Sequence, residues 1–435
     1  MTPRTLIFYV CFGAVVWSQT PPGKLPPGSP LTRQQAEEIA LANNPRIQIS
    51  ELQAKVQQER VRAARSYELP NVNGNVSGVE ANEASRISAG ALGAPRLLTR
   101  AGAGVDVSQL ITDFGRTKNL VASAKLTEQA RRADAQASRE DIILATDQVF
   151  FQALEAQATL AVAAQTVAAR QSLVDKVTAL TQSKLKSELD LSFVQVSLSQ
   201  AKLLQLDARN NLDAAKAALS AVLGFDKQED YQLVDETKDL PPLAPNAEPL
   251  VQMALQQRPE LQSLRFTEQA ASKFTHAEHD QFFPTISALG VVGTTPVGSS
   301  LYFSPNWYGA AGINVSIPLF NGFRYSAQAA QAALQEKIET ERERDLRYVV
   351  ARDVRTAWLN ANSALQRVSV TGELLTQTNT ALDLAQTRYG LGLSSIVELS
   401  QAQLQQTEAA IGDANARAQY SFAIATLKFQ TGDNR

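Results

Sequence analysis

Few residues in this chain are suited to chemistry. Imidazole is confined to His276 and His279, with Glu278 and Asp280 beside them. Two histidines at i, i+3 with neighbouring carboxylates could ligate a divalent metal. The same HAEHD run reads more simply as a solvated helix end. The one cysteine, Cys11, lies in an N-terminal apolar run. Removal of that run leaves no thiol, which excludes disulfides and thiolate zinc sites. Ser, Asp and His occur, but no GxSxG elbow joins them, and neither HExxH nor a Gly-rich phosphate loop stands in a supporting context. No catalytic residue, metal ligand or cofactor is assigned, and the chain reads as a protein that is not an enzyme. The side chains left for functional work are carboxylates at helix starts, Asp190 and Glu398. Gln401 lies three residues from Glu398 and shares its helix face.

The elements that carry these residues follow from composition and pattern. The chain has 435 residues, 44% hydrophobic and 19% charged, which excludes a disordered protein. Lys+Arg is 41 against Asp+Glu 43, without the basic surplus of a nucleic-acid binder. Arg4 followed by the apolar run Leu6 to Trp17 reads as a signal peptide, residues 1–18, too short to span a bilayer as a helix. Phe12 follows Cys11 and no small-residue lipobox precedes it, so lipidation is disfavoured. No later run reaches the ~18 apolar residues of a membrane helix. The mature chain is therefore soluble in the periplasm, secreted, or a membrane β-barrel.

The chain is an internal duplication. Pro45 and Pro70 recur as Pro259 and Pro284, an offset of 214. Further on the offset is 208: GVDVSQLITDFGR (104–116) lies over GINVSIPLFNGFR (312–324), Asp190 over Glu398, and Gly224 over Gly432. The copies span 19–224 and 250–435, joined by a proline-bearing linker, 225–249. Each has the order helix, strand, strand, very long helix, helix. Arg116 to Leu223 contains no Gly or Pro across 108 residues rich in strong helix formers. The predicted helices are about 116–183 and 324–388, with shorter ones at about 32–69, 188–222, 250–283 and 395–430. A stripe with 3-4 spacing from Trp358 through Leu365 and Leu375 to Leu382 is heptad-like. An ordinary antiparallel coiled coil would account for that stripe alone. Lengths add a further point: two short helices laid end to end match one long one.

The segment 285–319 has no charged residue. It alternates, with Ile313, Val315 and Ile317 on one parity and Asn314 and Ser316 on the other. Val72 and Val76 likewise alternate with Asn71, Asn73 and Asn75, and Val105 and Val107 with Asp106 and Ser108. Strands at about 71–80, 101–111, 285–293 and 307–319 have the length and alternation of membrane strands. Tyr302, Phe303, Trp307 and Tyr308 cluster where an interfacial girdle would sit. A pair of hairpins in a soluble sandwich is the competing reading. Four strands cannot close a transmembrane barrel, so a spanning barrel must be shared by subunits. Two subunits give a filled interior, and three leave a channel.

The duplicated order, YGLG at 389–392 followed by IVEL at 396–399, and IPLFNGFR at 317–324 resemble the TolC-like outer-membrane efflux proteins over about residues 31–432. The resemblance implies a mainly α fold with a membrane β part: a homotrimer with a 12-stranded β-barrel in the outer membrane, continuous with a long periplasmic α-helical barrel. It implies an equatorial belt built from the linker and termini. It also implies a passive exit duct serving a tripartite efflux pump or type I secretion system, docked to a periplasmic adaptor and fed by an inner-membrane transporter. A periplasmic coiled-coil adaptor or scaffold that never spans the membrane is the alternative.

In such a family the helix turns farthest from the strands, about 181–187 and 389–395, form the closed tip. Asp190, Tyr389, Ser394, Glu398 and Gln401 would line the constriction, and three copies of Glu398 would form a carboxylate ring favouring cations. Ser394 and Gln401 stand where some relatives carry a basic and an acidic residue, which weakens any charged latch. Asp190 and Glu398 also suit the first turns of their helices as dipole-matched acids. Lys184, Leu185, Lys186, Gly390, Leu391, Gly392 and Leu393 would form the docking edge, with the two lysines facing an acidic partner or solvent. Copper(I) cargo is disfavoured, because the chain has only two Met as soft ligands.

Overall fold

The structure is a computed structural model that describes residues 29–80, 100–227, 231–235, 237, 240–294 and 307–433. Residues 1–18, expected to be a signal peptide, and Tyr302 and Phe303 lie outside the described residues. Two copies of one unit are visible in the element order. The first runs α1 (Arg33–Asn43), α2 (Pro45–Ser66), β2 (Asn71–Val79), β3 (Arg100–Thr112), α3 (Arg116–Gln182) and α4 (Glu188–Val222). The second runs α5 (Glu248–Gln257), α6 (Pro259–Asp280), β5 (Thr285–Thr294), β6 (Trp307–Ser316), α7 (Arg324–Gly390) and α8 (Ile396–Thr431). Two short strands, β1 (Ser29–Leu31) and β4 (Tyr231–Leu233), complete the list.

The long helices α3 and α7 have 67 residues each, ~100 Å at 1.5 Å per residue. Each packs against a shorter helix at both ends: α2 and α4 lie along α3, and α6 and α8 along α7. Buried alanines dominate the seams, among them Ala130, Ala133, Ala153 and Ala163 in α3 and Ala357, Ala361 and Ala385 in α7. Small side chains let long helices run close together.

Where one helix was predicted over 32–69 and another over 250–283, there are two each. Proline at the first position of α2 and α6 disfavours helical backbone at the residue before it. Asn44 (ψ 122°) and Arg258 (ψ 125°) are accordingly extended. Each break receives the end of a returning helix. Asn44 Nδ2 donates to the Val222 carbonyl at 3.3 Å, and Arg258 Nη1 donates to Gln430 Oε1 at 2.8 Å. Gly224 and Gly432 end α4 and α8 in the left-handed region, at φ 78° and 75°. A Cβ on Gly224 would stand 2.9 Å from Asn43 Cβ.

The described stretches of the linker pair with and pack against the rest of the chain. β4 pairs in parallel with β1, Ser29 opposite Tyr231 and Leu31 opposite Leu233. Leu31 and Tyr231 are buried beside Phe150, Leu219 and Leu223. Further along, Tyr420 Oη donates to the Pro241 carbonyl at 2.6 Å and Trp358 Nε1 to the Ala244 carbonyl at 2.8 Å, which strap the linker to α8 and α7.

The other strands form one antiparallel sheet in the order β2-β3-β5-β6. β6 ends at Ser316 rather than near 319. The outer edges of β2 and β6 have no partner strand among the described residues.

Gly224→Ala should lower stability by ~1–3 kcal/mol, through left-handed backbone strain and collision with Asn43. Gly412→Ala, mid-helix in open space, should instead stabilise by ~0.5–1 kcal/mol. Thermal unfolding followed by helical circular dichroism measures both; a similar shift in the two would contradict the junction.

Candidate functional site

Two regions bring the predicted site residues together: the sheet and the tip. Cross-strand partners share a face, so the register sorts the sheet directly. Val72 stands opposite Val107, Val105 opposite Val292, Ala288 opposite Ile313 and Ile286 opposite Val315. On that face Val72, Val76, Val105, Val107, Val292, Trp307, Ile313 and Val315 are all exposed. The other face carries Asn71, Asn73, Asn75, Asp106, Ser108, Asn314 and Ser316, interrupted by Leu289 and Val291. Asp106 accepts from Asn73 Nδ2 at 3.0 Å and from Asn75 Nδ2.

Tyr308 does not join Trp307. One step along β6 turns it to the polar face, where its hydroxyl lies over Gly293 and Gly104. A Cβ on Gly293 would stand 2.8 Å from the Ala103 carbonyl oxygen. The glycines let β3 and β5 approach closely, and the tyrosine covers the space they leave.

A second aromatic group escaped the sequence reading. At the helix-side ends of the strands lie Tyr67, Phe114, Phe282, Phe283, Phe320 and Phe323, all exposed. Phe114 and Phe283 rings are 5.7 Å apart, as are those of Phe320 and Phe323. These residues come from four separate segments, so no local cluster announces them. Next to them, the two carboxylates beside the histidines take part in hydrogen bonds of their own. Asp280 accepts from Asn119 Nδ2 at 2.7 Å, tying α6 to the start of α3, and Glu278 accepts from Gln281.

At the opposite end the tip is built twice from one design. The chain leaves α3 with Lys184 at φ 60° and leaves α7 with Gly392 at φ 77°. Leu185 N donates to the Leu180 carbonyl at 2.9 Å, and Leu393 N to the Arg388 carbonyl at 2.8 Å. Ser187 and Ser395 then cap the returning helices, accepting from Asp190 N at 3.1 Å and Glu398 N at 3.2 Å.

The acids differ in what they do next. The Asp190 carboxylate turns back to the Ser187 amide at 3.4 Å, completing a capping box. The Glu398 carboxylate instead pairs across the turn with Arg388, Nε to Oε1 3.5 Å, both side chains half-exposed. Arg388 also reaches the Leu393 carbonyl at 3.4 Å. A charged link thus exists, but within one turn and through Arg388, which the sequence reading did not single out.

The two tips lock together in the same chain. Tyr389 is 6% exposed and packs with Val177, Val194, Leu198, Ile396 and Leu399. Lys186 lies over the Tyr389 ring, Nζ 4.1 Å from its centroid. Burial, and then the nearby Asp190 charge, push the Tyr389 phenol above its ordinary pKa. Its hydroxyl and that of Ser394 are buried without hydrogen-bond partners among the described residues. Gln401 stands exposed one turn along α8, and Leu185, Leu391 and Leu393 are exposed at the end.

Capping and pairing can be separated. Ser395→Ala should cost ~1 kcal/mol at the start of α8, and Glu398→Gln at most ~0.5 kcal/mol, because an exposed pair contributes little. Amide hydrogen exchange over residues 396–399 reads the difference; equal acceleration would contradict it.

The comparisons agree with this geometry. The outer membrane efflux protein family matches residues 38–225 and 250–433. The outer membrane protein TolC of Salmonella enteritidis is 24% identical over 430 residues, covering 92% of this chain and 83% of the relative. Among solved structures, CusC superposes with a TM-score of 0.79 at 20% identity, covering 92% of each chain. The outer membrane protein VceC of Vibrio cholerae gives a TM-score of 0.76 at 18% identity, covering 92% of this chain and 96% of that one. Channel-tunnels thus share the fold, and both halves of the duplicated unit fall within the family match: the chain belongs to the outer membrane efflux protein family.

Proposed function

We propose that three copies of this chain close a 12-stranded barrel in the outer membrane and form the passive exit duct of a tripartite efflux pump or type I secretion system. One observation carries the reading: a four-stranded antiparallel sheet, apolar on one face and polar on the other, with neither outer edge paired among the described residues. Strand direction alternates, so β6 runs opposite to β2 and copies join edge to edge as an antiparallel pair. Three copies give twelve strands, wide enough for a water-filled lumen. The apolar face meets lipid, Trp307 marks one interface, and the Phe114–Phe283 and Phe320–Phe323 group marks the other. Asn73, Asp106 and Asn314 face the lumen. Exposed leucines on the free flanks of the helices, Leu203 and Leu206 of α4 and Leu374 and Leu384 of α7, give neighbouring copies an apolar seam.

The repeats 19–224 and 250–435 form the wall, and the linker 225–249 forms its belt. The tip, with exposed Leu185, Leu391 and Leu393 beside Lys184, Gly390 and Gly392, docks a periplasmic adaptor. An inner-membrane transporter supplies the energy. Three Glu398 carboxylates, with Asp190 beside them, converge at the constriction. Close approach makes such a ring attract cations.

Native mass measurement and planar-bilayer recording test this together. The full chain should run as three copies and conduct cations in preference to anions. Glu398→Gln should reduce that preference and leave the trimer intact. A monomer or dimer that conducts equally well would overturn the assembly. An unchanged reversal potential in the variant would remove Glu398 from the pore.

A further inference from the structure

Above the tip, α4 and α8 diverge over α3 and leave a groove of 610 Å³. Its walls are mainly apolar in area, with Phe193 and Val196 from α4 and Val397 and Leu404 from α8, and carry polar groups such as Gln200 and Gln401. Its floor holds Arg170, a residue of α3 that is only 6% exposed. Among the described residues, Arg170 Nη1 has no hydrogen-bond partner and no ion pair involves the side chain. Burial draws its pKa down to about 10, which leaves it a cation at neutral pH. Ser400 Oγ lines the same groove and is also buried without a partner.

Two unmet donors, one of them charged, are costly to keep out of water. An apolar side chain would fill the same floor without that cost. The cost is offset when an acceptor enters. An anion is the acceptor that answers a guanidinium, through charge-assisted hydrogen bonds. The flanking apolar surface would bury the rest of the molecule. A cleft with apolar walls and a few convergent polar groups, in the range of about 300–1,000 Å³, is the usual form of a small-ligand site. Glu408 stands exposed at the rim and would oppose a second negative charge.

We propose that this groove binds a small organic monoanion with an apolar body, its carboxylate held by Arg170 and Ser400. The occupant is a free small molecule, which fits the groove's volume and the one buried cation on its floor. The inference concerns a ligand site on the wall and goes beyond the duct itself.

The test uses the full chain in lipid nanodiscs, with empty nanodiscs as the blank. Equilibrium dialysis with 1-naphthoate and with its uncharged methyl ester reads the charge dependence. Naphthoate should bind saturably, more tightly than the ester, and more weakly as salt rises. Arg170→Met should weaken naphthoate about tenfold or more and leave the ester within about twofold. Ser400→Ala should weaken naphthoate by a smaller factor, and Glu408→Gln should tighten it. Equal retention of naphthoate and ester by the unaltered chain would overturn the proposal. So would naphthoate binding that survives both Arg170→Met and Ser400→Ala.

Discussion

A backbone amide or carbonyl left without a partner in hydrocarbon costs several kcal/mol, and a membrane strand offers no water to meet it. The sheet of this protein presents that problem at both ends. β3 and β5 are paired on both sides, and, among the described residues, β2 and β6 on one side only. The edges carry neither a covering helix nor a blunting charge in their described stretches, the usual ways a soluble protein protects an edge. Everything else in the molecule is compatible with one resolution, in which the missing partner is another copy. The helices then stand beneath the strands as a wall, and their apolar flanks meet across the same seams.

Duplication explains how a single chain builds two walls of equal height. Each returning helix ends on a left-handed glycine against a proline-made break, Gly224 on Asn43 and Gly432 on Gln257. Each tip uses the same turn and the same serine cap. Divergence is confined to details with electrostatic consequences. Lys184 holds a backbone conformation that Gly392 adopts without strain. Asp190 spends its carboxylate on its own cap, and Glu398 offers its carboxylate to Arg388. The second copy thereby holds the exchangeable charge pair of the tip, and the first copy provides a fixed support through Lys186 on Tyr389.

Much of this was legible from periodicity and repeats. The 67-residue helix α3 follows from the long stretch without Gly or Pro, its counterpart α7 from the repeat, and the sheet faces from strict alternation over Asn71–Ser77 and Ile313–Ser316. What stayed hidden depends on contacts distant in sequence. Pairing of β1 with β4 involves three residues on each side, too few for a periodic signal. Arg388 and Glu398 lie ten residues apart across a turn, outside any helical spacing rule. The aromatic group at the helix-side interface is assembled from four segments. Prolines 45 and 259 were visible as repeat markers, but their effect as helix breaks follows only when the preceding residue is considered. Tyr308 was grouped with Trp307 by proximity, whereas alternation alone separates them. Arg170 looked like any helical arginine until the fold buried it.

The central claim is that the free edges of β2 and β6 are joined between copies. Amide hydrogen exchange on the assembled protein in lipid tests it most directly. The outward-pointing amides of β2 and β6, alternate residues along Asn71–Val79 and Trp307–Ser316, should be protected as strongly as the amides of β3 and β5. Rapid exchange at those edge positions, with β3 and β5 still protected, would contradict barrel closure and the account built on it.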